Sequence, residues 1–146
     1  MGTKDHLKKL VDEFLSEVPS IKQVKPHEYD INEVYPAHDG DEWRVAPGVY
    51  YFSLGDEVNY VGSGVSRWGV GYRVYKGLNR IGLRNGYPAA PMQGWSELLN
   101  NPESKVGIFQ FEQSDWYWPL SLEALLVWGL QPALNNHKFR PPALCA

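Results

Sequence analysis

Two tyrosines that share their segments with glycines, one acid in an apolar stretch and a run of unopposed cations are the residues whose types and spacing could do chemistry. Tyr50 lies in GVYYFSL, residues 48–54, and Tyr60 in VNYVGSG, residues 58–64. They stand ten positions apart, on two apolar pieces joined through Gly55-Asp56-Glu57. A hairpin explains the alternation, but it has no need of a phenol close to a glycine on each strand. A reaction centre has. Glu123 sits in LSLEALLVWGL, residues 120–130, a segment otherwise almost wholly apolar. A carboxylate there is costly to bury unless it is paired or binds a metal. Exposure at the helix edge, or pairing with an arginine, is the purely structural account of it. Asn135 follows twelve residues later, in QPALNN.

The cations come next. Between Val58 and Ser96 the chain carries Arg67, Arg73, Lys76, Arg80 and Arg84 and no Asp or Glu. The overall charge of −3 therefore hides an asymmetry. Residues 1–57 hold 12 acidic and 6 basic residues, net −6, and residues 58–146 hold 5 and 8, net +3. A long interval of one sign suits an anionic partner, against the plainer possibility of a solvated basic face. Aromatic residues make up 14%, with six Trp and nine Tyr; such side chains fill cores but also stack on bases and sugars.

Other classes are excluded early. With Cys145 as the single cysteine, neither an intrachain disulfide framework nor a cysteine-built metal site is available. No signal pattern opens the chain and no apolar run approaches the ~18 residues of a membrane span, so a cytoplasmic protein without a membrane partner is expected. His27, Glu28, Asp30 and His38 are possible ligands by type, but their spacing matches no recurring metal site.

The elements that must hold these residues follow from periodicity. Residues 3–18 place Leu7, Leu10, Val11, Phe14, Leu15 and Val18 on one helical face, capped by Thr3 and ended by Pro19. Residues 19–47, acidic and with four prolines, are expected to be irregular. Strands are expected at about 48–54 and 57–62. The glycines of GSGVSRWGVG argue against a helix before about Tyr72. Residues 81–94 should form a loop and Trp95–Asn100 a helical turn. A third strand is expected at Lys105–Glu112, with Val106, Ile108 and Gln110 on one face. Leu120–Leu130 should be a buried helix, with Ser121 as its cap and Gln131-Pro132 as its stop. This order is that of an α+β sandwich, a small sheet covered by helices.

Taken together, Gly48-Val49-Tyr50, Tyr60-Val61-Gly62, the basic helix, a third strand, Glu123 and Asn135 resemble the GIY-YIG nuclease family over about residues 47–137. The resemblance implies a three-stranded antiparallel sheet flanked by helices in a nuclease domain at 47–146. Residues 1–46 would be an N-terminal helix and acidic extension. It implies a metal-dependent endonuclease acting on DNA phosphodiesters, RNA not excluded, with one Mg²⁺ or Mn²⁺ per site. Carried over by position, Tyr50 resembles the tyrosine that helps deprotonate the attacking water, and Tyr60 its partner at the phosphate or water. Glu123 resembles the metal-binding carboxylate, and Asn135 the asparagine that holds the local geometry.

The family's helix arginine, which steadies the scissile phosphate, has no direct match: its usual spacing falls on Val70. Arg73 is preferred for the role, with Arg67 as a phosphate contact. The His or Lys common near that helix would be replaced by Tyr72, Tyr75 or Lys76. Arg67, Arg73, Lys76, Arg80 and Arg84 would bind the backbone with strong salt dependence, and Asn85, Gln93 or residues 116–118 could touch bases. The chemistry is coherent, because attack on a phosphodiester anion needs a base near the water and a cation for the developing charge. Free tyrosine, with a pKa near 10, would need that metal and those arginines to lower its pKa. One carboxylate suffices for Mg²⁺ when waters and phosphate fill its other positions.

Two further readings compete. One is a catalytically inactive module of the same fold that binds nucleic acid or protein. The other is a carbohydrate-binding protein using its tryptophans. The oligomeric state, monomer or homodimer, is open at this level.

Overall fold

The computed structural model describes residues 2–34, 40–84, 87–88 and 95–135, with backbone alone at 84 and 87–88. It is an α+β protein built on a four-stranded antiparallel sheet. The strands that form it are β1 (Lys25–Asp30), β2 (Gly48–Leu54), β3 (Glu57–Gly64) and β6 (Ser104–Gln110), in spatial order β1-β6-β2-β3. The four helices among the described residues are α1 (Lys4–Glu17), α2 (Gly69–Arg80), α3 (Ser96–Asn100) and α4 (Trp118–Leu130). A two-stranded ladder, β4 (Leu83–Arg84) with β5 (Tyr87–Pro88), stands apart from the main sheet, within the stretch expected to be a loop.

The fourth strand departs from the three expected. KPHEYD, in the segment expected to be irregular, lies along β6 with Lys25 opposite Gln110 and Asp30 opposite Lys105. It is an edge strand, so it tolerates Pro26 and needs no apolar alternation. Its polar groups pair locally instead. His27 Nε2 lies 2.8 Å from Gln110 Oε1, Tyr51 donates to Glu28 at 2.7 Å, and Lys105 bonds to Asp30. The residues considered by type as metal ligands, His38 aside, are thus engaged in sheet pairing; His38 lies outside the described residues.

Each face of the sheet carries its own core. On one, Tyr50, Phe52, Tyr60, Val106 and Ile108 meet Val70, Val74 and Leu78 of α2 and Leu98 of α3. On the other, Val49, Tyr51, Val58, Val61 and Phe109 meet Leu122, Leu126, Val127 and Leu130 of α4, with Leu7 and Val11 of α1. Helix α1 forms as its pattern predicts: Thr3 accepts from the His6 amide at 3.1 Å, and Leu7 and Val11 are buried against α4. Each fully buried aliphatic side chain there is worth about 1.5–3 kcal/mol. None of the described helices is long and apolar enough to cross a membrane.

Two helix boundaries differ from expectation. Helix α4 starts at Trp118 with Pro119 in its first turn, so Ser121 lies inside the helix and is not its cap. Helix α2 starts at Gly69, three residues before Tyr72, and contains Gly69, Gly71 and Gly77. These glycines serve contact rather than flexibility. The 3-10 turn Glu42–Val45 lies against the helix start, where a Cβ on Gly71 would come within 2.7 Å of the Arg44 carbonyl oxygen. Packing of the preceding loop overrides the low helix propensity of glycine.

Burial of Tyr50 and Tyr51 sets the alkaline limit of the fold. Burial is the main cause raising both phenols above their ordinary value of 10.0; Tyr60 adds to it at Tyr50, and the hydrogen bond to Glu28 adds to it at Tyr51. A raised native pKa means the folded state holds its proton longer than the unfolded chain. Stability is therefore complete below pH 10 and falls above it, by about 1.4 kcal/mol per pH unit for each such tyrosine. The midpoint of urea denaturation should drop steadily above pH 10, and Tyr51→Phe should make the drop shallower. A midpoint that stays flat to pH 11 would mean the phenols are not held this way.

Candidate active site

A β-bulge brings the two tyrosines together. Along β2 and β3, Phe52 pairs with Tyr60 but Ser53 with Val58, so Asn59 is the extra residue and the alternation of β3 resets between Val58 and Tyr60. Val58 therefore faces α4 while Tyr60 faces α2. There Tyr60 joins Tyr50, with ring centroids 6.0 Å apart, and both are nearly fully buried, at 4% and 2% exposure. The glycines have a matching use. Tyr50 sits opposite Gly62, and a Cβ on Gly62 would come within 2.6 Å of the Tyr50 ring, so the ring occupies the space a side chain would need. The reason for a phenol and a glycine on each strand is in part this cross-strand fit.

Tyr60 is fixed from the far end of α2. Arg80 donates to its hydroxyl at 3.2 Å, and the guanidinium lies over the Tyr60 ring at 5.6 Å and the Trp95 ring at 5.7 Å. Arg80 is half-buried in this role, away from the exposed basic face on which it was expected. Burial and the neighbouring Tyr60 raise Tyr50 strongly, while Arg73 and Arg80 pull it down by less. The two arginines alone therefore do not make a phenolate accessible: desolvation outweighs them, and the lowering expected of a metal and arginines together would have to come from the metal.

Glu123 comes from the opposite face. It is 2% exposed, and the Ser63 hydroxyl donates to its Oε1. Ser63 is one residue beyond Gly62, so strand alternation turns it toward α4. The two faces meet at the end of the edge strand β3. Here Ser63, Leu120 and Glu123 from one side and Gly64, Tyr72 and Arg73 from the other line a cleft of about 510 Å³. The helix approaches closely at this point, since a Cβ on Gly64 would meet the Val70 Cα at 2.7 Å.

Glu123 and Arg73 thus line one cleft, an acid from α4 and a base from α2. Neither tyrosine is among the described residues that line it. The Arg73 charge is nonetheless felt at the Tyr50 hydroxyl. The other residues singled out by sequence are placed as follows. Arg67 is exposed beside the cleft, with its guanidinium 4.7 Å from the Trp68 ring, and Lys76 lies 5.5 Å from the Tyr72 ring. The side chain of Arg84, and Asn85 and Gln93, lie outside the described residues. Trp116 and Tyr117 are exposed, whereas Trp118 packs edge-on against Phe14 at 6.1 Å.

Asn135 is a clamp. Its side-chain oxygen accepts from the Val61 amide at 2.8 Å and its amide donates to the Val61 carbonyl at 2.7 Å. The Leu134 amide adds a bond to the Asn59 carbonyl at 2.9 Å. One side chain thereby satisfies both backbone groups of a buried residue at the outer edge of β3, within two positions of Tyr60 and Ser63. Removing it leaves two buried backbone groups unpaired, each worth about 1–3 kcal/mol. Asn135→Ala should cost about 2–4 kcal/mol by urea denaturation; a loss below ~0.5 kcal/mol would show that water replaces the amide.

Ser63 and the exposed Trp68 were not singled out from sequence, whereas Tyr72 was named as a stand-in for the family's His or Lys. Ser63 had a readable signal, because it follows YVG directly on a strand whose next face looks toward the helix bearing Glu123.

A single carboxylate on the cleft wall, oriented by a hydroxyl, fits a hard cation that keeps most of its coordination for water and phosphate. No protein-family model, no curated protein and no solved structure matches this chain.

Proposed function

We propose that the protein is a metal-dependent phosphodiesterase of the GIY-YIG type, cutting DNA with one Mg²⁺ or Mn²⁺. The observation that carries this reading is the cleft at the end of β3 that Glu123 and Arg73 both line. Glu123 would hold the cation, which supplies Lewis-acid polarisation of a phosphate oxygen. Arg73 would bind the non-bridging oxygens of the scissile phosphate and offset their charge. Ser63 orients the Glu123 carboxylate. Tyr50 would act as a hydrogen-bonding phenol near Arg73, held by Tyr60, whose own hydroxyl accepts from Arg80. Arg67 and Lys76, exposed on the same side, would track the flanking backbone. Residues 1–46 contribute α1 and β1 to the packing that supports the nuclease domain at 47–146.

One observation favours a second reading. Both phenols are buried, and burial raises Tyr50 rather than lowering it. A binding module that keeps the cleft for phosphate and does not hydrolyse would look the same. Digestion of supercoiled plasmid and of single-stranded DNA and RNA with Mg²⁺ or Mn²⁺ separates the two. Nicking abolished by EDTA supports the nuclease. Salt-sensitive binding with intact substrate under both metals leaves the binding module.

A further inference from the structure

Beside the Glu123 cleft lies a second cavity of about 520 Å³, lined by Asp41, Glu42, Arg44, Trp68, Tyr72 and Tyr75 among others. Trp68 and Tyr72 belong to both, and form the wall between them. Both are exposed, at 58% and 42%, and their rings lie 6.4 Å apart. We propose that this second cavity is a nucleobase pocket that takes an unpaired guanine of the strand whose phosphate lies in the Glu123 cleft. The inference rests on nucleic-acid binding in that cleft and adds to it the choice of base.

Three features point to a base. Aromatic faces on the dividing wall suit a flat π-system, and every base has one. The carboxylates of Asp41 and Glu42 repel phosphate, so the backbone is kept in the cleft that holds Arg73 while something neutral enters here. An organic cation would also suit rings and acids, but Arg44 lines the same cavity, Arg67 stands over Trp68 and Lys76 over Tyr72. These three charges oppose a cation and favour a ligand that brings its own anion, which is a nucleotide. A carboxylate accepts two parallel N–H bonds. Guanine offers N1–H and N2–H side by side, whereas adenine and cytosine set one amino group beside an acceptor nitrogen, and thymine has a single N–H between two carbonyls. In a duplex the guanine edge is engaged, so the preference is for single-stranded or extruded nucleotides.

The test is a binding titration in EDTA with fluorescein-labelled thymidine hexamers carrying one central guanine, adenine or abasic site. The guanine hexamer should bind about tenfold tighter than the abasic one, the low end of what one stacked base contributes. Trp68→Ala, at an exposed position and checked for fold by circular dichroism, should remove that difference. Glu42→Gln should bring guanine down to adenine. Equal affinity for guanine and abasic hexamers in the unmodified protein would overturn the pocket. So would discrimination that survives Trp68→Ala, or tetramethylammonium competing with the hexamers. Because no metal is present, the result is independent of the digestion above. Cutting without guanine preference removes the pocket alone, and guanine preference without cutting under either metal removes the nuclease alone.

Discussion

With Glu123 replaced by glutamine, metal-dependent cleavage should fall by at least ~100-fold, the scale of removing one preorganised electrostatic group from an active site. Binding to the same DNA in EDTA should persist. The substitution is the right probe because of where the carboxylate sits. It is almost fully buried, is bonded by the Ser63 hydroxyl, and faces the cleft that Arg73 also lines. Glutamine keeps the volume and still offers an oxygen to Ser63 while the negative charge is removed. The melting temperature should be followed alongside, because removing one member of a buried charged contact can itself destabilise a fold. Activity equal to that of the parent would mean that no cation depends on Glu123, and the proposed chemistry would have to be abandoned. A variant that melts early and loses activity would be settled by the binding titration, since a folded cleft still binds phosphate.

The largest effect on stability is expected at Gly69→Ala, about 3 kcal/mol or more from two causes that add. Gly69 has φ of +79°, a left-handed conformation that costs an L-residue roughly 1–2 kcal/mol. A Cβ there would also fall on the Arg44 carbonyl and the Val45 backbone, which unlike a side chain cannot swing aside. Relief requires the 3-10 turn to lift from the helix start, losing the bond from the Val70 amide to the Ala46 carbonyl at 2.8 Å and about another 1 kcal/mol. Gly40→Ala is the control, because no atom of the described residues lies within 4 Å of its would-be Cβ, and it should change the urea midpoint little. If the two variants unfold alike, the turn does not sit where it is described. The same junction carries Arg73 on the first turns of α2, so a weakened Gly69 contact should also loosen the cleft.

How far the sequence reached can be followed residue by residue. Helix α1 was legible because Leu7 and Val11 recur at helical spacing and Thr3 is a cap in chemistry as well as in position. The hairpin and β6 were legible from their alternation. Strand β1 was not: KPHEYD has a proline, two acids and a histidine, and becomes a strand only because β6 offers it a ladder of partners. The start of α2 was hidden for a related reason. Its glycines read locally as helix breakers, and only the distant Arg44–Val45 backbone explains them.

At the candidate site, Glu123 and Asn135 stood out as polar groups beside apolar segments, and both are buried in bonded roles. The state of Tyr50 did not show in the sequence, because a phenol's pKa depends on how much water its neighbours exclude. The alignment of the tyrosines depends on one extra residue in β3. Without the bulge at Asn59, plain alternation from Val58 would have turned Tyr60 toward α4.

Asn135 also bears on the outer edge of the sheet. Strand β3 ends the sheet, and an open row of amides and carbonyls on such a strand is a template onto which another chain can add. The Val61 and Asn59 groups are already occupied by the Asn135 side chain and the Leu134 amide. A chain cut back before Pro132 would uncover that row and should self-associate through it, so concentration-dependent oligomers or fibrils from the shortened protein are the expected sign that a short C-terminal segment guards the sheet against aggregation.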